Sequence, residues 1–174
     1  FNHEGVRRGI DFVTRKITDG VAKLKYAIEC NGLPIDSKVK IPVLTLGNLE
    51  AQRDWSDAED FMHGVWLMLN QESPKEYVLA SGEMHTIREF LYECLSVAGI
   101  EWYSEGEGKD EKLFLSNSVN KGEMIFEVNP KFYRPAEVHE LCGDPSKAEK
   151  ELGWKRNVDF YGSPVVLEPE PDLS

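Results

Sequence analysis

The stretch Leu46-Gly47-Asn48-Leu49-Glu50-Ala51-Gln52-Arg53-Asp54-Trp55 joins a strand to a helix within ten positions. It closes the short apolar run Val43 to Leu46, turns through Gly47-Asn48, and sets Arg53 and Trp55 just before an amphipathic stretch. A glycine at such a turn lets backbone approach a ligand closely, and an arginine a few residues on offers a planar fork of donors suited to phosphate. An ion pair of Arg53 with Asp54 or Glu50 is the plain structural alternative, and for this segment alone it suffices.

The rest of the chain repeats the alternation of strand and helix. Residues 1–11 read as a loop with Gly5 and Gly9 flanking Arg7-Arg8. A helix follows from about Phe12 to Lys25, with Phe12, Val13, Ile17, Val21 and Leu24 as its apolar stripe. Residues 26–42, with Asn31-Gly32, Pro34 and Pro42, read as a loop. Ser56 and Glu59 have the spacing of a capping box, opening a helix to about Asn70 whose Phe61, Val65, Trp66, Met68 and Leu69 are expected in the core. Glu76 to Ala80 reads as a buried strand, and Thr86 with Glu89 opens a helix ending at Gly99, a natural left-handed cap. The Glu-, Gly- and Lys-rich run from Ser104 to Lys112 reads as mobile, and it lacks the ligand spacing of a calcium loop. Ile125 to Val128 is a candidate strand, and Asp144-Pro145 caps a last helix that stops at Gly153. Ser81-Gly82 lacks the surroundings of a nucleophile elbow. Such alternation specifies a mixed α/β fold rather than a continuously parallel sheet.

Charge narrows the partners. The net charge of −11 argues against nucleic acid, which needs a basic footprint. The charge is unevenly spread: residues 1–25 hold six basic against three acidic groups, a local +3 that leaves −14 on the remainder. A cationic segment on an acidic body suits a phosphate-bearing small molecule. No apolar run approaches a membrane span, so no membrane partner is expected. Cys30, Cys94 and Cys142 are odd in number and not paired as metal ligands, so reduced thiols and a cytoplasmic location are expected, with no metal. Cys94, on the apolar side of its helix, is expected in the core.

Three segments share one chemistry: Phe1-Asn2-His3-Glu4 with Arg7-Arg8, Arg53-Asp54-Trp55, and Phe132-Tyr133-Arg134-Pro135-Ala136-Glu137. With Phe12-Val13-Thr14-Arg15-Lys16-Ile17, Ser81-Gly82-Glu83-Met84-His85, Arg88-Glu89-Phe90, and Gly143-Asp144 followed by Lys147-Ala148 and Leu152-Gly153-Trp154, they occur in the order found in GDP-mannose 4,6-dehydratases. The chain resembles that family of extended short-chain dehydrogenases/reductases from residue 1 to about 160. The last segment marks only the superfamily, whereas Arg53-Asp54-Trp55 and Tyr133-Arg134-Pro135 are more specific.

The resemblance implies an α/β fold: the C-terminal part of a Rossmann-type enzyme, with a small mixed sheet at the edge of the main one and a helical substrate-binding lobe. Residues 161–174 are expected to be a disordered tail, and residues 26–42 a surface insertion. The family's reaction removes a hydride from C4 of GDP-mannose to NADP, eliminates water across C5–C6, and returns the hydride at C6, on the route to GDP-fucose. No glycine-rich phosphate turn follows a strand here, and no Tyr is followed four positions later by Lys. The chain therefore reads as lacking the family's dinucleotide-binding half, with no catalytic residue assigned and no turnover expected alone.

By resemblance, His3 and Arg8 contact NADP, and the Arg7-Arg8 loop reaches across an interface of the family's homotetramer. An arginine fork can hold a 2′-phosphate by charge-assisted bonds, although an exposed arginine between two glycines explains Arg8 as well. The implied substrate set is Asn2, Lys16, Gly47, Arg53, Arg134 and Glu137. Arg53 and Arg134 would clamp the diphosphate, Lys16 would reach guanine or phosphate, and Asn2 the sugar or diphosphate. Glu137 suits ribose hydroxyls, and Pro135 fixes the backbone beside Arg134. A surface role for Lys16 and a pair between Arg134 and Glu137 are the structural alternatives. Asp54 is expected near a helix start, with Trp55 in the core, and His85 is unassigned. Two other readings stay open: a non-catalytic nucleotide-sugar-binding or interaction module that complements a separate Rossmann half, and a related nucleotide-sugar epimerase or dehydratase.

Overall fold

The computed structural model of the chain describes residues 1–32, 39–116, 120–133 and 140–162. In chain order the elements are β1 (Asn2–Glu4), α1 (Val13–Asn31), β2 (Leu44–Leu46), β3 (Gln52–Arg53), β4 (Trp55–Asp57), α2 (Ala58–Leu69), β5 (His85–Thr86), α3 (Ile87–Val97), β6 (Trp102–Glu105), β7 (Lys112–Leu115), β8 (Met124–Val128) and α4 (Ser146–Leu152). They form two compact units. The arrangement is the mixed α/β one expected from the alternating pattern.

The first unit takes residues 1–8, 50–87 and, among the described residues, 140–162. Its β1 pairs parallel with β4, matching Asn2 with Trp55 and His3 with Ser56, and β3 pairs antiparallel with β5. Residues 2–4 were expected in a loop; they carry no apolar alternation, and it is the β4 ladder that makes them a strand. The helix after β4 is capped by Asp57, not Ser56: the Asp57 Oδ1 accepts from the Glu59 amide at 2.7 Å. Ser56 is buried within β4, which leaves the next residue to cap. Phe61, Leu79, Ala148 and Trp154 form the core, and the Trp154 indole donates to the Asp60 carbonyl at 2.9 Å.

Two further expectations fail in this unit. Residues 76–80 form no strand, although Leu79 and Ala80 are buried; among the described residues no ladder partner lies beside them, and Lys147 donates to the Glu76 carbonyl at 2.8 Å. On α2, Phe61 is core and Met68 half-buried, but Val65, Trp66 and Leu69 are exposed. The helix is apolar nearly all round, and only one side meets the unit's own core. Gly153, with φ 65°, ends α4 as expected.

The second unit takes the described residues of 9–49 and 88–137. Its sheet has the order β2-β8-β7-β6, with β2 and β8 parallel and the other pairs antiparallel. Val21 and Leu24 of α1, Leu91 and Leu95 of α3, and Ile125 and Phe126 of β8 enclose a gap of only about 10 Å³, so helices and sheet pack tightly. Ile17, Val21 and Leu24 are buried as expected, but Phe12 is exposed. The helix runs to Asn31, six residues beyond the expected end, because residues 26–31 hold no breaker before Gly32. Asn31 then grips Val39, donating to its carbonyl and accepting from its amide at 2.9 and 2.8 Å. At the end of α3, the Gly99 amide reaches Ser96 and the Ile100 amide reaches Leu95, a Schellman cap with Gly99 at φ 68°. The run from Ser104 to Lys112 is no mobile loop but the turn of the β6–β7 hairpin, made possible by Gly106 and Gly108 at φ 76° and 58°.

Candidate functional site

Four of the eight expected ligand residues lie in the first unit. Asn2 and His3 are half-buried on β1. The His3 ring stacks on Phe61 of α2 with centroids 4.8 Å apart, and its Nδ1 lies 3.2 Å from the Phe1 carbonyl oxygen. Arg53 is half-buried on β3, two residues before Trp55, the register partner of Asn2. Arg53 itself belongs to β3, where its register partner is His85 of β5. The Arg53 Nη1 donates to the Gln52 carbonyl at 2.7 Å, which fixes the base of its fork.

Beside Arg53 sits the best-satisfied carboxylate in the described chain. Asp54 is fully buried; Oδ1 accepts from the Ser81 amide and hydroxyl at 2.7 and 2.6 Å, and Oδ2 from the Gly82 and Gly143 amides at 3.1 and 3.0 Å. It bolts together three segments distant in sequence and does not cap the following helix. The Asp54 carboxylate is thus already committed to Ser81, Gly82 and Gly143. Trp55 is buried as expected, stacking on Phe160 at 6.1 Å. His85, unassigned from sequence, lies flat on Phe160 at 3.7 Å, where it packs the residues after α4 onto β5.

Arg8 forms an ion pair with Glu4, Nε to Oε2 at 3.2 Å. One face of the His3 ring is covered by Phe61. Among the described residues no group of three or more His, Cys, Asp or Glu side chains could hold a metal ion.

Lys16 and Gly47 belong to the second unit. Lys16 is exposed on α1, where its backbone amide extends the helix onto the Phe12 carbonyl at 3.0 Å. Gly47 follows β2, and its lack of a side chain serves the protein's own backbone: a Cβ there would stand 2.6 Å from the Phe132 carbonyl oxygen. The 3₁₀ turn Pro130–Phe132 is thereby held against Gly47, and the next residue, Tyr133, lies under the Lys109 ammonium, 5.3 Å from the ring centroid. Arg134, Pro135 and Glu137 lie outside the described residues.

Sequence reasoning missed Glu111 as well. It is buried and accepts a two-pronged contact from Arg88, including Nη2 to Oε2 at 2.8 Å, and a bond from the Tyr92 hydroxyl at 3.1 Å. Those bonds hold its carboxyl below the ordinary glutamate value, with Arg88 the largest cause. The group fastens the hairpin to α3. Cys94 is core as expected, and burial pushes its thiol up to about 12. Cys30 and Cys142 are also free thiols.

Comparisons with known proteins bear on the whole segment. The sequence model of the GDP-mannose 4,6 dehydratase family matches residues 1–162. A GDP-mannose 4,6-dehydratase of Vibrio cholerae serotype O1 is 41% identical over 161 residues, covering 88% of this chain and 40% of the relative. The Homo sapiens GDP-mannose 4,6 dehydratase is 39% identical over 161 residues, covering 92% and 39%. The chain thus spans about two fifths of the length of these relatives, the C-terminal part. Among solved structures, the fold matches RMD from Pseudomonas aeruginosa complexed with NADPH at a TM-score of 0.66 and 19% identity, over 94% of this chain and 43% of that one. It also matches the Bordetella bronchiseptica enzyme WbmG in complex with NAD and UDP, at 0.58 and 22%, over 95% and 40%. Both show a likeness of fold alone.

Proposed function

Because this chain belongs to the GDP-mannose 4,6 dehydratase family, we propose that it supplies the GDP-sugar-recognising part of such a hydro-lyase. The observation that carries this reading is the family match over residues 1–162, which takes in every candidate ligand residue. Asn2 on β1 and Arg53 on β3 belong to the same compact unit, and both are half-buried.

In this reading Arg53 grips the diphosphate of GDP-mannose through charge-assisted bonds, and Asn2 serves the sugar with a donor and an acceptor. Lys16, Arg134 and Glu137 complete the set in the roles the resemblance implies, and Gly47 positions the segment leading to Arg134. The expected product of the whole enzyme is GDP-4-keto-6-deoxymannose. No residue of this chain is assigned a catalytic role, and the NADP contacts that the resemblance implies for His3 and Arg8 belong with the whole enzyme. Tetramer formation belongs with the whole enzyme.

Ligand-induced stabilisation tests the reading. A ligand that binds only the folded state raises its melting midpoint by mass action. GDP-mannose is expected to raise the midpoint of the chain and UDP-glucose to leave it unchanged. An equal rise with UDP-glucose would favour a related epimerase instead.

A further inference from the structure

The second unit carries a groove built by residues expected as a surface insertion. The helix α1 runs on to Asn31, and the Asn31 side chain clasps the Val39 backbone through hydrogen bonds of 2.9 and 2.8 Å. Between the last turns of the helix and the returning chain lies a cleft of about 240 Å³, lined by Lys23, Tyr26, Ala27, Val39, Lys40 and Pro42. Its walls are mostly apolar. Ala27 is buried, whereas Tyr26 is 60% and Val39 38% exposed, so an aromatic ring and a branched aliphatic group stand open to an occupant. Its rim is cationic. Among the described residues no carboxylate lines the groove, and the two ammonium groups that do are unequal. Lys23 is paired with Asp19 one turn back, at 2.8 Å. Lys40 has no such partner among the described residues.

We propose that this groove is a binding site for a small aromatic carboxylate, whose ring lies on Tyr26 against Ala27, Val39 and Pro42 and whose charge pairs with Lys40. Each part of the ligand follows from one part of the site. An aromatic body gains both from apolar burial and from stacking on the Tyr26 ring. A bare phosphate would leave those walls unused, and a cationic ring would be repelled by Lys40. The Tyr26 phenol adds no charge of its own at neutral pH, because hydrogen bonding with the Cys30 thiol one turn on raises it above its usual 10. The volume lies a little below the ~300 Å³ at which drug-sized sites begin, so the groove suits a ring or a fused pair and is too small for a nucleotide sugar. The Asn31–Val39 clasp holds the two walls in place before a ligand arrives, which lowers the ordering cost of binding. None of the six lining residues belongs to the candidate GDP-sugar set, so the inference is independent of GDP-mannose recognition.

The experiment titrates the chain with naphthoate, followed by calorimetry and by NMR shifts of the Tyr26 ring, with the neutral naphthylmethanol as control. It compares wild type with Tyr26→Ala, Lys40→Gln and Arg53→Ala. Tyr26 and Lys40 are exposed, so their variants should melt like wild type. The expected result is one-to-one binding that is tighter for the carboxylate than for the alcohol and weakens with added salt. Lys40→Gln should weaken it roughly two- to fivefold, the worth of an exposed ion pair, and Tyr26→Ala about fivefold through the lost ring contact. Arg53→Ala should leave it unchanged. The absence of saturable binding, equal affinity for the alcohol, or binding indifferent to both groove substitutions would overturn the proposal. So would a loss confined to Arg53→Ala, since it would move the anion to the candidate GDP-sugar site.

Discussion

Gly47 and Phe132 meet backbone to backbone, so close that a β-carbon on Gly47 would stand 2.6 Å from the Phe132 carbonyl oxygen and 2.9 Å from its carbon. The contact ties the turn after β2 to the segment running into Tyr133 and Arg134. A side chain at residue 47 has to push that segment away, because the atoms it meets are backbone. Gly47→Ala is expected to cost about 1–3 kcal/mol, the usual range for overpacking. It is also expected to weaken GDP-mannose binding by moving the approach to Arg134. Denaturant unfolding together with a binding titration checks both effects; an unchanged variant would mean the segment yields freely.

Asp54 makes a separate prediction, about stability alone. Its two oxygens take four hydrogen bonds from Ser81, Gly82 and Gly143 while fully buried. Asp54→Ala removes the shared acceptor of the Ser81, Gly82 and Gly143 amides and the Ser81 hydroxyl, and each hydrogen bond lost is worth roughly 1 kcal/mol. The expected total is about 3 kcal/mol or more, read as a lower urea midpoint at an unchanged slope. Asp54→Asn retains an acceptor and should cost less.

Glu111 sets an acid limit. Its bonds from Arg88 and Tyr92 hold its carboxyl below the ordinary 4.5 in the folded state, whereas the unfolded chain titrates near the ordinary value. A carboxyl depressed in this way contributes stability that is present above 4.5 and lost as pH falls through the lower, folded value. Stability should therefore drop more steeply below that point in wild type than in Glu111→Gln. At neutral pH the glutamine variant should cost about 2 kcal/mol, because the partner Arg88 is left without its charge. Parallel acid slopes for the two proteins would contradict this.

Much of the fold was legible where one local rule decides it. Gly99 and Gly153 stop helices because no other residue adopts positive φ as easily, and the Ile17, Val21 and Leu24 stripe finds its core. What was not legible depends on partners far away in sequence. Residues 2–4 are a strand only because β4 lies beside them, and the acidic run from Ser104 to Lys112 hides a hairpin whose inward positions, Leu113 and Leu115, come after it. Ser56 looked like the helix cap by spacing, but burial in β4 passed the task to Asp57. Asp54 was recognisable as structural, yet its three partners lie 27 to 89 residues away, beyond any local pattern. The ligand set divided in the same manner. Asn2 and Arg53 were named from a resemblance and fall in one compact unit, whereas the Arg8–Glu4 pair was not foreseen.

The central claim is that this chain recognises a GDP-sugar through Arg53. Calorimetric titration of the purified chain and of Arg53→Ala with GDP-mannose, using UDP-glucose as the control, tests it most directly. Charge-assisted bonds contribute about 1.5–3 kcal/mol, so the variant should bind roughly ten- to a hundredfold more weakly. Selective wild-type binding with that loss is the predicted result. Equal affinity of wild type and variant, or no preference for GDP-mannose, would contradict it.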